Sequence, residues 1–510
     1  MAFPSLETSP LEILSALAHV VHKRRPCETR RSRSLCRFGR DERGAVLIYV
    51  SIILPVLIGT AVLAVDASRL SILATTLQKG ADALALAGGA ELDRKPTAIA
   101  RANAAIANMV ANQHKFAAAS PATIVTSSVR YLKSLPANDI SVIDSAHDTA
   151  DPALARFVEV TVTPQTLNTI LPASFFGGAI SVTATARAVA GLDAAVCQFT
   201  PLFICNPYEG TGISIWDAVS NPTYRRRQLK LQLGAGGTSQ YFPGNYGWLD
   251  SPNFGSGSNG ANALRDALAM VQPQTCFVQN GVSQKTGNIS SADAAINTRF
   301  DLWSGPYNNA HNNSAYRPAQ NVRKGYVPGH GSNGVCNAEA TEPNVNKLGQ
   351  DDSFPHASGR MGTGDWDFDG YWSTNFGSTS KPTDATGVVY SNTNRPARYD
   401  VYRHEIAANL TGLAAQSGGA TGETGTPACY SGGGLSDEPD RRIIYGAIID
   451  CGGLNVHGNS GGPLAVTVFA KFFLTEPVAA DGTIHAELVG FVEPGTVSNT
   501  VARDIVQLYR

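Results

Sequence analysis

The sequence GNSGGPL at positions 458–464 comes nearest to catalytic chemistry. Serine proteases use a GxSGG turn in which backbone N–H groups beside the serine form an oxyanion hole. That mechanism also needs a histidine base and an aspartate that orients the base. His457 lies only three residues before Ser460, which places it poorly for the role of base.

Three other histidines are candidates for that base, namely His330, His356 and His404. None of them follows an apolar strand in the AxHC pattern of such proteases, and the sequence does not predict six-stranded barrels. A glycine-rich hairpin loop between the segments RRIIYGAIID and LAVTVFAKFF accounts for the same letters. We therefore favour the loop and keep a membrane-tethered serine hydrolase that uses Ser460 as an alternative.

The acidic motif GDWDFDG supplies Asp365, Asp367 and Asp369, followed by Gly370. Alternating aspartates before a glycine are typical of the start of a calcium loop. The twelfth position of such a loop should be glutamate, whereas Phe376 stands there. Aromatic residues between the acids favour a solvated, aromatic-lined turn. A calcium-dependent adhesin-like binding module remains a further alternative.

Other signature motifs fail at their defining positions. The pair His404–Glu405 does not begin an HExxH zinc motif, because Ala408 stands where the second histidine is needed. The chain contains no GxxxxGK[ST] phosphate loop. The sequence therefore predicts no catalytic, cofactor-binding or metal-binding residue, no cofactor, and a protein that is not an enzyme.

The rest of the chain is organised around the segment Gly44–Val65, which reads GAVLIYVSIILPVLIGTAVLAV. It is 22 residues long and carries no charge. A helix of this length crosses the roughly 30 Å hydrocarbon core of a bilayer. Inside lipid the backbone must satisfy its own hydrogen bonds, so that a helix is expected, and Pro55 is tolerated there.

The residues around this span predict its orientation. Nine lysines and arginines lie between Lys23 and Arg43, with three acids among them, and Asp66 closes the other end. The positive-inside bias predicts that residues 1–43 form a cytoplasmic basic tail and that residues 66–510 cross the membrane. The alternatives are a cleaved signal peptide, whose apolar region is usually about 7–15 residues long, and a buried helix of a soluble protein.

Charge and composition limit what the exported part can bind. It carries 31 basic and 36 acidic residues, and this near balance gives no electrostatic reason to expect nucleic acid as a partner. The 50 glycines and 28 prolines among 510 residues favour long ordered loops over helical bundles.

The cysteines divide by predicted compartment. Cys27 and Cys36 lie in the basic tail and should be reduced. The six that follow the span are Cys197, Cys205, Cys276, Cys336, Cys429 and Cys451. An even number in an oxidising compartment predicts disulfides, and six cysteines allow about 15 pairings that the sequence cannot separate. Buried free thiols are the alternative.

The helix is predicted to continue past the span as a stalk. Its apolar stripe at helical spacing contains Leu70, Leu73, Leu77, Ala81, Leu84 and Gly88. The stripe should pack against the chain's own domain or, through its Ala/Gly-rich part, against a partner helix. A second helix is expected over the sequence TAIARANAAIANMVANQH, with Thr97 as its cap.

Alternating apolar residues predict strands in TIVTSSVRYL, RFVEVTVT, ISVTATARAVA, LAVTVFAKFFLTEPV and TIHAELVGFVEP. The last two should pair, and PQTLNTILPASFFG is expected to form a short helix and turn. Further short strand candidates are LKLQL, RYDVYRHEIA and RRIIYGAIID. The predicted class is α+β. A single transmembrane helix (44–65) continues into a stalk and small α+β unit (66–195), and a loop-rich, mainly β domain with disulfides follows (196–510).

The residues RGAVLIYVSIILPVLIGTAVLAVDASRL and LQKGADALALAGGAEL resemble the N-terminal segment of TadG-like proteins of the bacterial tight-adherence (Flp) pilus machinery. The resemblance continues at CQFTPLFICNP, YFPGNYGWLD, INTRFDLW, RYDVYRHEI and FAKFFLTEP, and covers most of residues 40–510 discontinuously. It implies an inner-membrane protein with a periplasmic body that serves pilus assembly or anchoring, with no catalytic activity.

The resemblance also implies partners. These are other pilus-assembly or envelope proteins and inner-membrane lipid, with self-association through the Ala/Gly-rich stalk as a further expectation. Pseudopilins of the same system are cleaved after a glycine that is followed, five positions on, by glutamate. Tyr49 stands at that position after Gly44, so that we expect the anchor to stay attached.

Overall fold

The computed structural model describes residues 42–109, 113–114, 122–136, 138, 141–170, 181–251, 253–254, 257–279, 281–287, 289, 291–325, 329–330, 336–337, 347–416, 423–436, 440–460, 463–493 and 501–509. The chain mixes helix and sheet, as predicted. It divides into two compact units, and the first comprises residues 1–76, 114–122 and 165–184. All other residues belong to the second unit.

The helices are α1 (Glu42–Gly89), α2 (Ala98–Ala107), α3 (Ile215–Ser220), α4 (Pro222–Arg225), α5 (Gly257–Ala269), α6 (Ala292–Asn297), α7 (Phe368–Phe376) and α8 (Arg398–Ala407). The first strands are β1 (Gln113–His114), β2 (Ala122–Thr123), β3 (Thr126–Leu132), β4 (Phe157–Val162), β5 (Gln165–Asn168), β6 (Ser181–Ala184), β7 (Arg187–Cys197), β8 (Leu202–Cys205) and β9 (Gln228–Leu233). The others are β10 (Asn245–Asp250), β11 (Cys276–Val278), β12 (Ser283–Lys285), β13 (Gly329–His330), β14 (Cys336–Asn337), β15 (Ile443–Ile449), β16 (Val468–Leu474), β17 (Ile484–Phe491) and β18 (Val501–Leu508).

Helix α1 confirms the predicted long apolar helix and runs for 48 residues with Pro55 inside it. In the second unit, Leu77, Ala81 and Leu84 of the predicted stripe are buried. A Cβ added to Gly88 would lie 2.7 Å from Cδ1 of Ile106, so that glycine here lets α1 approach α2 without displacing that side chain. The lower stripe therefore packs against the chain's own domain.

The first unit joins α1 to a hairpin. Strands β5 and β6 pair in antiparallel fashion, with Leu167 opposite Val182. The carboxylate of Asp66 accepts the N–H of Ile170 at 3.0 and 2.9 Å, and Arg69 contacts the Asp66 carboxylate at 3.1 Å. The short helix predicted here is wrong over residues 165–168, where pairing with β6 decides the conformation. Residues 171–180 lie outside the described part of the chain.

A five-stranded sheet forms around β7. Strand β4 pairs with β3 and β7, and β11 and β18 also pair with β7, all in antiparallel fashion. Strand β18 lies beside residues 190–197, although it is about 300 positions later in the sequence. The domain boundary predicted after residue 195 falls inside β7 and is not visible as a break in this strand.

Six strands close into a ring in the order β10, β8, β15, β16, β17 and β9, with β9 pairing back to β10. Strand β12 joins the ring on β10. The pairs β8–β15 and β9–β10 are parallel, and the others are antiparallel. The expectation that no six-stranded barrel occurs is therefore wrong, because the ring depends on pairs between strands that are far apart in sequence.

The barrel strands are covered on both faces, which explains their near-continuous apolar sequences. All seven residues of β15 are buried, with Ile444 and Ile448 in one apolar cluster and Ile443 and Ala447 in another. Residues of α5 and α6 belong to the first cluster, and residues of α7 and α8 belong to the second. Both faces of β15 are therefore packed against apolar residues, including residues of these four helices.

Two predicted boundaries are corrected. The segment RYDVYRHEIA forms helix α8 rather than a strand, and its buried residues Val401, Tyr402, Glu405 and Ile406 recur at helical spacing. Alternation of two or three apolar residues is compatible with either element, and packing decides between them. Helix α2 ends at Ala107, and residues 113–114, which the sequence predicted as part of this helix, form β1.

Disulfides are present, as predicted. Cys197 is bonded to Cys276, its neighbour across β7 and β11, and Cys205 is bonded to Cys451. Cys429 is also disulfide-bonded. The structure thus excludes buried free thiols at these five positions, while Cys27 and Cys36 lie outside the described residues.

Candidate functional site

The upper part of α1 presents an apolar surface. Apart from the partly buried Val62, the large apolar side chains from Ile48 to Val65 are 49–67% exposed, and an 18-residue window of this helix has no buried residue. It is the one helix of the described residues that is long and apolar enough to cross a membrane. A helix inside a soluble core would be buried, so this surface favours a membrane span.

The serine of the GNSGG motif serves a local turn. The Ser460 hydroxyl accepts the backbone N–H of His457 at 2.7 Å, and the Ser460 N–H donates to the His457 carbonyl at 3.0 Å. The segment connects the antiparallel strands β15 and β16, as the hairpin-loop interpretation predicts. Among the described residues, no hydrogen bond joins the Ser460 hydroxyl to an imidazole.

The other candidate bases have different surroundings. His404 lies on α8 with its ring 5.9 Å from that of Trp372, and burial lowers its pKa. The backbone of His356 forms a turn with Met361. The side chain of His330 is outside the described residues. The described contacts therefore bring none of these histidines to Ser460.

The three aspartates of GDWDFDG are held by partners within the chain, and Asn392 donates to both Asp367 and Asp369. Asp367 caps α7 by accepting the N–H of Gly370 at 2.9 Å. Asp369 pairs with Lys381, and Asp365 lies 3.3 Å from Arg395. Within the part of the chain that is described, no three metal-ligating side chains form a group. The carboxylates are thus directed to a helix cap and to cations rather than to a common centre.

A cleft opens where β9 and β12 separate along the same edge of β10. Its volume is about 480 Å³, and its walls include the glycine-rich segments 234–237 and 458–459. Among its described lining residues, Tyr241 and Lys285 are titratable, and Lys285 pairs with Asp250 at 3.1 Å. The cleft has the size of a binding site, but the lining residues that the structure describes include no carboxylate or imidazole for acid–base chemistry.

Three buried charged residues, Asp351, Arg398 and Glu487, form a cluster that we call the Arg398 cluster. Arg398 Nη2 donates to Asp351 at 2.7 Å, and Nη1 donates to Glu487 at 2.8 Å. All three side chains are at most 1% exposed. The cluster joins β17 to the start of α8 and to the loop before α7, which makes it a structural junction.

The two carboxylates of this cluster differ in their donors. Asp351 also accepts the N–H groups of Gln228 and Gly364, at 3.1 and 2.7 Å. Glu487 additionally accepts the N–H of Tyr399 at 3.1 Å. One guanidinium faces two buried carboxylates, so that protonation of one of them removes an uncompensated charge. Burial raises the pKa of Glu487 to about 7, against the attraction of Arg398.

We expect stability to fall as pH rises from about 4.5 to about 7, because the unfolded state releases the Glu487 proton at the lower pKa and the folded state retains it. The contribution is at most about 3 kcal/mol. Urea unfolding of the full chain in detergent at pH 5 and pH 7.5 measures it. Glu487→Gln should abolish this part of the pH dependence, and an unchanged slope would contradict the assignment.

Glu476 makes stability change with pH in the opposite direction, and it does so at lower pH. Burial opposes its ionisation, but the hydrogen bond and charge of His485 and the charge of Lys347 outweigh burial and lower its pKa to about 2. This contribution is complete above about pH 4.5 and is lost as pH falls towards 2. The free energy of unfolding of Glu476→Gln should therefore differ from the wild type in its pH dependence only below about pH 4.5.

Comparison with known proteins does not identify the chain. No family model, curated protein or solved structure matches it.

The buried charged residues were not predicted from the sequence. Asp351 and Glu487 lie 47 and 89 residues from Arg398, and nothing local links them. The one signal is Glu487 within IHAELVGF, a charge inside a strand with buried neighbours on both sides. A charged residue in such a strand indicates a buried partner but does not say which residue it is.

Proposed function

We propose that this protein is a structural or assembly component of a tight-adherence (Flp) pilus apparatus, anchored in the inner membrane by one helix with its body in the envelope. The proposal of a membrane anchor is supported by the exposed apolar surface of α1 from Ile48 to Val65. Burying each of its large aliphatic side chains in lipid gains roughly 1.5–3 kcal/mol. The pilus assignment depends on the sequence resemblance to TadG-like proteins.

The proposed orientation has residues 1–43 in the cytoplasm. It is supported by the nine basic residues between Lys23 and Arg43 and by the positive-inside bias. The disulfides Cys197–Cys276 and Cys205–Cys451 support an oxidising compartment for the body. Both features favour the periplasm for residues 66–510.

The proposed role is mechanical and depends on protein partners. The span fixes the chain in the membrane, and the disulfide-linked body contacts other pilus-assembly or envelope proteins. Self-association also remains a proposal. It would need a surface other than the stripe around Leu77 and Ala81, because that stripe is buried within the chain.

Membrane fractionation and protease protection test the topology. We expect the full chain to remain with inner membranes after alkaline extraction, and external protease to digest residues 66–510 in intact spheroplasts. Replacing Ile53 and Leu57, which lie in the exposed apolar segment, by arginine should release the chain from the membrane. Protection of the body from protease would contradict the orientation. Interaction capture from the same cells would then test the pilus partners.

The hydrolase alternative is tested by Ser460→Ala. An assembly role predicts that pilus formation is retained, with a stability loss of about 1 kcal/mol from the missing turn hydrogen bond to His457. Thr211→Val is a matched control, because the Thr211 hydroxyl makes a comparable turn hydrogen bond to the Tyr208 carbonyl at 2.7 Å. Loss of pilus function in Ser460→Ala alone would favour the hydrolase.

A further inference from the structure

Lys324 and Glu423 lie together inside the second unit, and neither belongs to the clusters described above. Both side chains are 2% exposed, and Lys324 Nζ is 3.9 Å from Glu423 Oε1. A charge-assisted hydrogen bond between these groups would be about 2.7–2.9 Å long. The amine therefore approaches the carboxyl group without a hydrogen bond to that oxygen.

The two oxygens of the Glu423 carboxyl group differ sharply. Oε1 accepts the backbone N–H groups of Lys324 and Gly325, at 2.8 and 2.9 Å. Oε2 is buried and has no hydrogen-bond partner among the described residues. Two backbone donors on one oxygen are the arrangement that stabilises a tetrahedral oxyanion in acyl transfer. Oε1 is thus placed to carry developing charge, whereas Oε2 is placed to leave.

The surroundings favour the neutral forms of both groups. Burial lowers the pKa of Lys324, although Glu423 and Asp301 act in the opposite direction. Burial also raises the pKa of Glu423, against the attraction of Lys324 and its backbone donors. A neutral amine is nucleophilic, and a protonated carboxyl group has a hydroxyl that can leave as water.

We propose that Lys324 and Glu423 join in an intramolecular amide bond. Nζ attacks Cδ of the protonated Glu423 and a C–N bond forms, with the negative charge on Oε1 beside the two N–H groups. One amine proton passes to the Oε2 hydroxyl, the Cδ–Oε2 bond breaks, and water leaves. The carbonyl reforms at Oε1. The step is a condensation without any change of oxidation state.

Position and burial favour this product. Two reacting groups fixed in contact react as an effectively unimolecular pair, which removes much of the entropic barrier. Exclusion of water protects the amide from hydrolysis. The product also contains no charge, whereas an ion pair at this depth carries a large desolvation penalty. The cross-link would close a loop between residues that are 99 positions apart.

Mass spectrometry of the full chain tests the proposal directly. The protein is purified in detergent, its disulfides are reduced, and its intact mass is measured. We expect the chain to be lighter than its sequence by one water molecule, and digestion to give a branched peptide that joins Lys324 to Glu423. A chain of full sequence mass, or a loss of water that maps to other residues, would overturn the proposal.

Two variants and a control test whether Lys324 and Glu423 are the residues that form the amide. Lys324→Met should restore the full mass, whereas Lys347→Met should retain the loss of water, because Lys347 pairs with Glu476 in a separate contact. Glu423→Gln should lose ammonia instead of water and give the same amide, since nitrogen then leaves in place of Oε2. A Lys324→Met chain that still lacks one water would overturn the assignment. The wild-type measurement does not depend on the folding of any variant.

Discussion

Replacement of Arg398 by methionine should lower the free energy of unfolding by about 3–5 kcal/mol. The substitution leaves Asp351 and Glu487 buried without their cation, and the carbonyl of Gly349 also loses a donor. Methionine keeps much of the side-chain volume over the Trp366 ring, so the effect reports on the guanidinium rather than on a cavity. Urea unfolding of the full chain in detergent measures the loss.

Arg225→Met is the matched control. Arg225 also pairs with a carboxylate, Asp400, at 2.8 Å, but the two side chains are 33% and 38% exposed. An exposed pair contributes about 0–1 kcal/mol, because water already solvates both charges. Combining Arg398→Met with Asp351→Asn and Glu487→Gln should recover part of the loss. Equal losses in the free energy of unfolding for Arg398→Met and Arg225→Met would show that burial of the Arg398 cluster does not increase its contribution to stability.

Replacement of both Cys205 and Cys451 by serine should be the second large effect, about 2–5 kcal/mol of lost stability. The bridge closes a loop of 246 positions, so that its removal returns much conformational entropy to the unfolded chain. It also connects the ends of the parallel neighbours β8 and β15. Urea unfolding under non-reducing conditions compares the variant with the wild type.

The disulfide Cys197–Cys276 provides an internal comparison. Its loop is 79 positions long, and the chain-entropy relation predicts that its removal costs about 1 kcal/mol less. A larger loss for the shorter loop would contradict an account based on chain entropy and would point to native-state contacts around β7 and β11. Both double variants keep the span, so that membrane association should not change.

Several elements were predictable because they depend on neighbouring residues. The uncharged run Gly44–Val65 specifies a helix whatever surrounds it, and α1 continues through the stripe at Leu77 and Ala81 as expected. Strands β4, β16 and β17 were predicted from apolar alternation, and β9 and β15 were predicted as short strand candidates. The local turn at Ser460 was also predicted as a hairpin loop.

The errors occurred where packing overrides a short pattern. The segment of α8 alternates over a few residues, yet Val401 and Glu405 are buried together only on a helix. Residues 165–168 form β5 because β6 pairs with them. In both segments the local preferences are weak, and a tertiary neighbour supplies the difference in free energy.

The sequence by itself determined the apolar span, the helical stripe below it, most of the long strands and the presence of disulfides. Only the tertiary structure decided which cysteines pair, that six strands close into a ring, and that Asp351, Arg398 and Glu487 share one buried position. The physical reason is the range of the interactions. Helix and strand periodicity repeats over two to four residues, whereas these contacts join positions 47 to 246 residues apart and form only when the whole core excludes water.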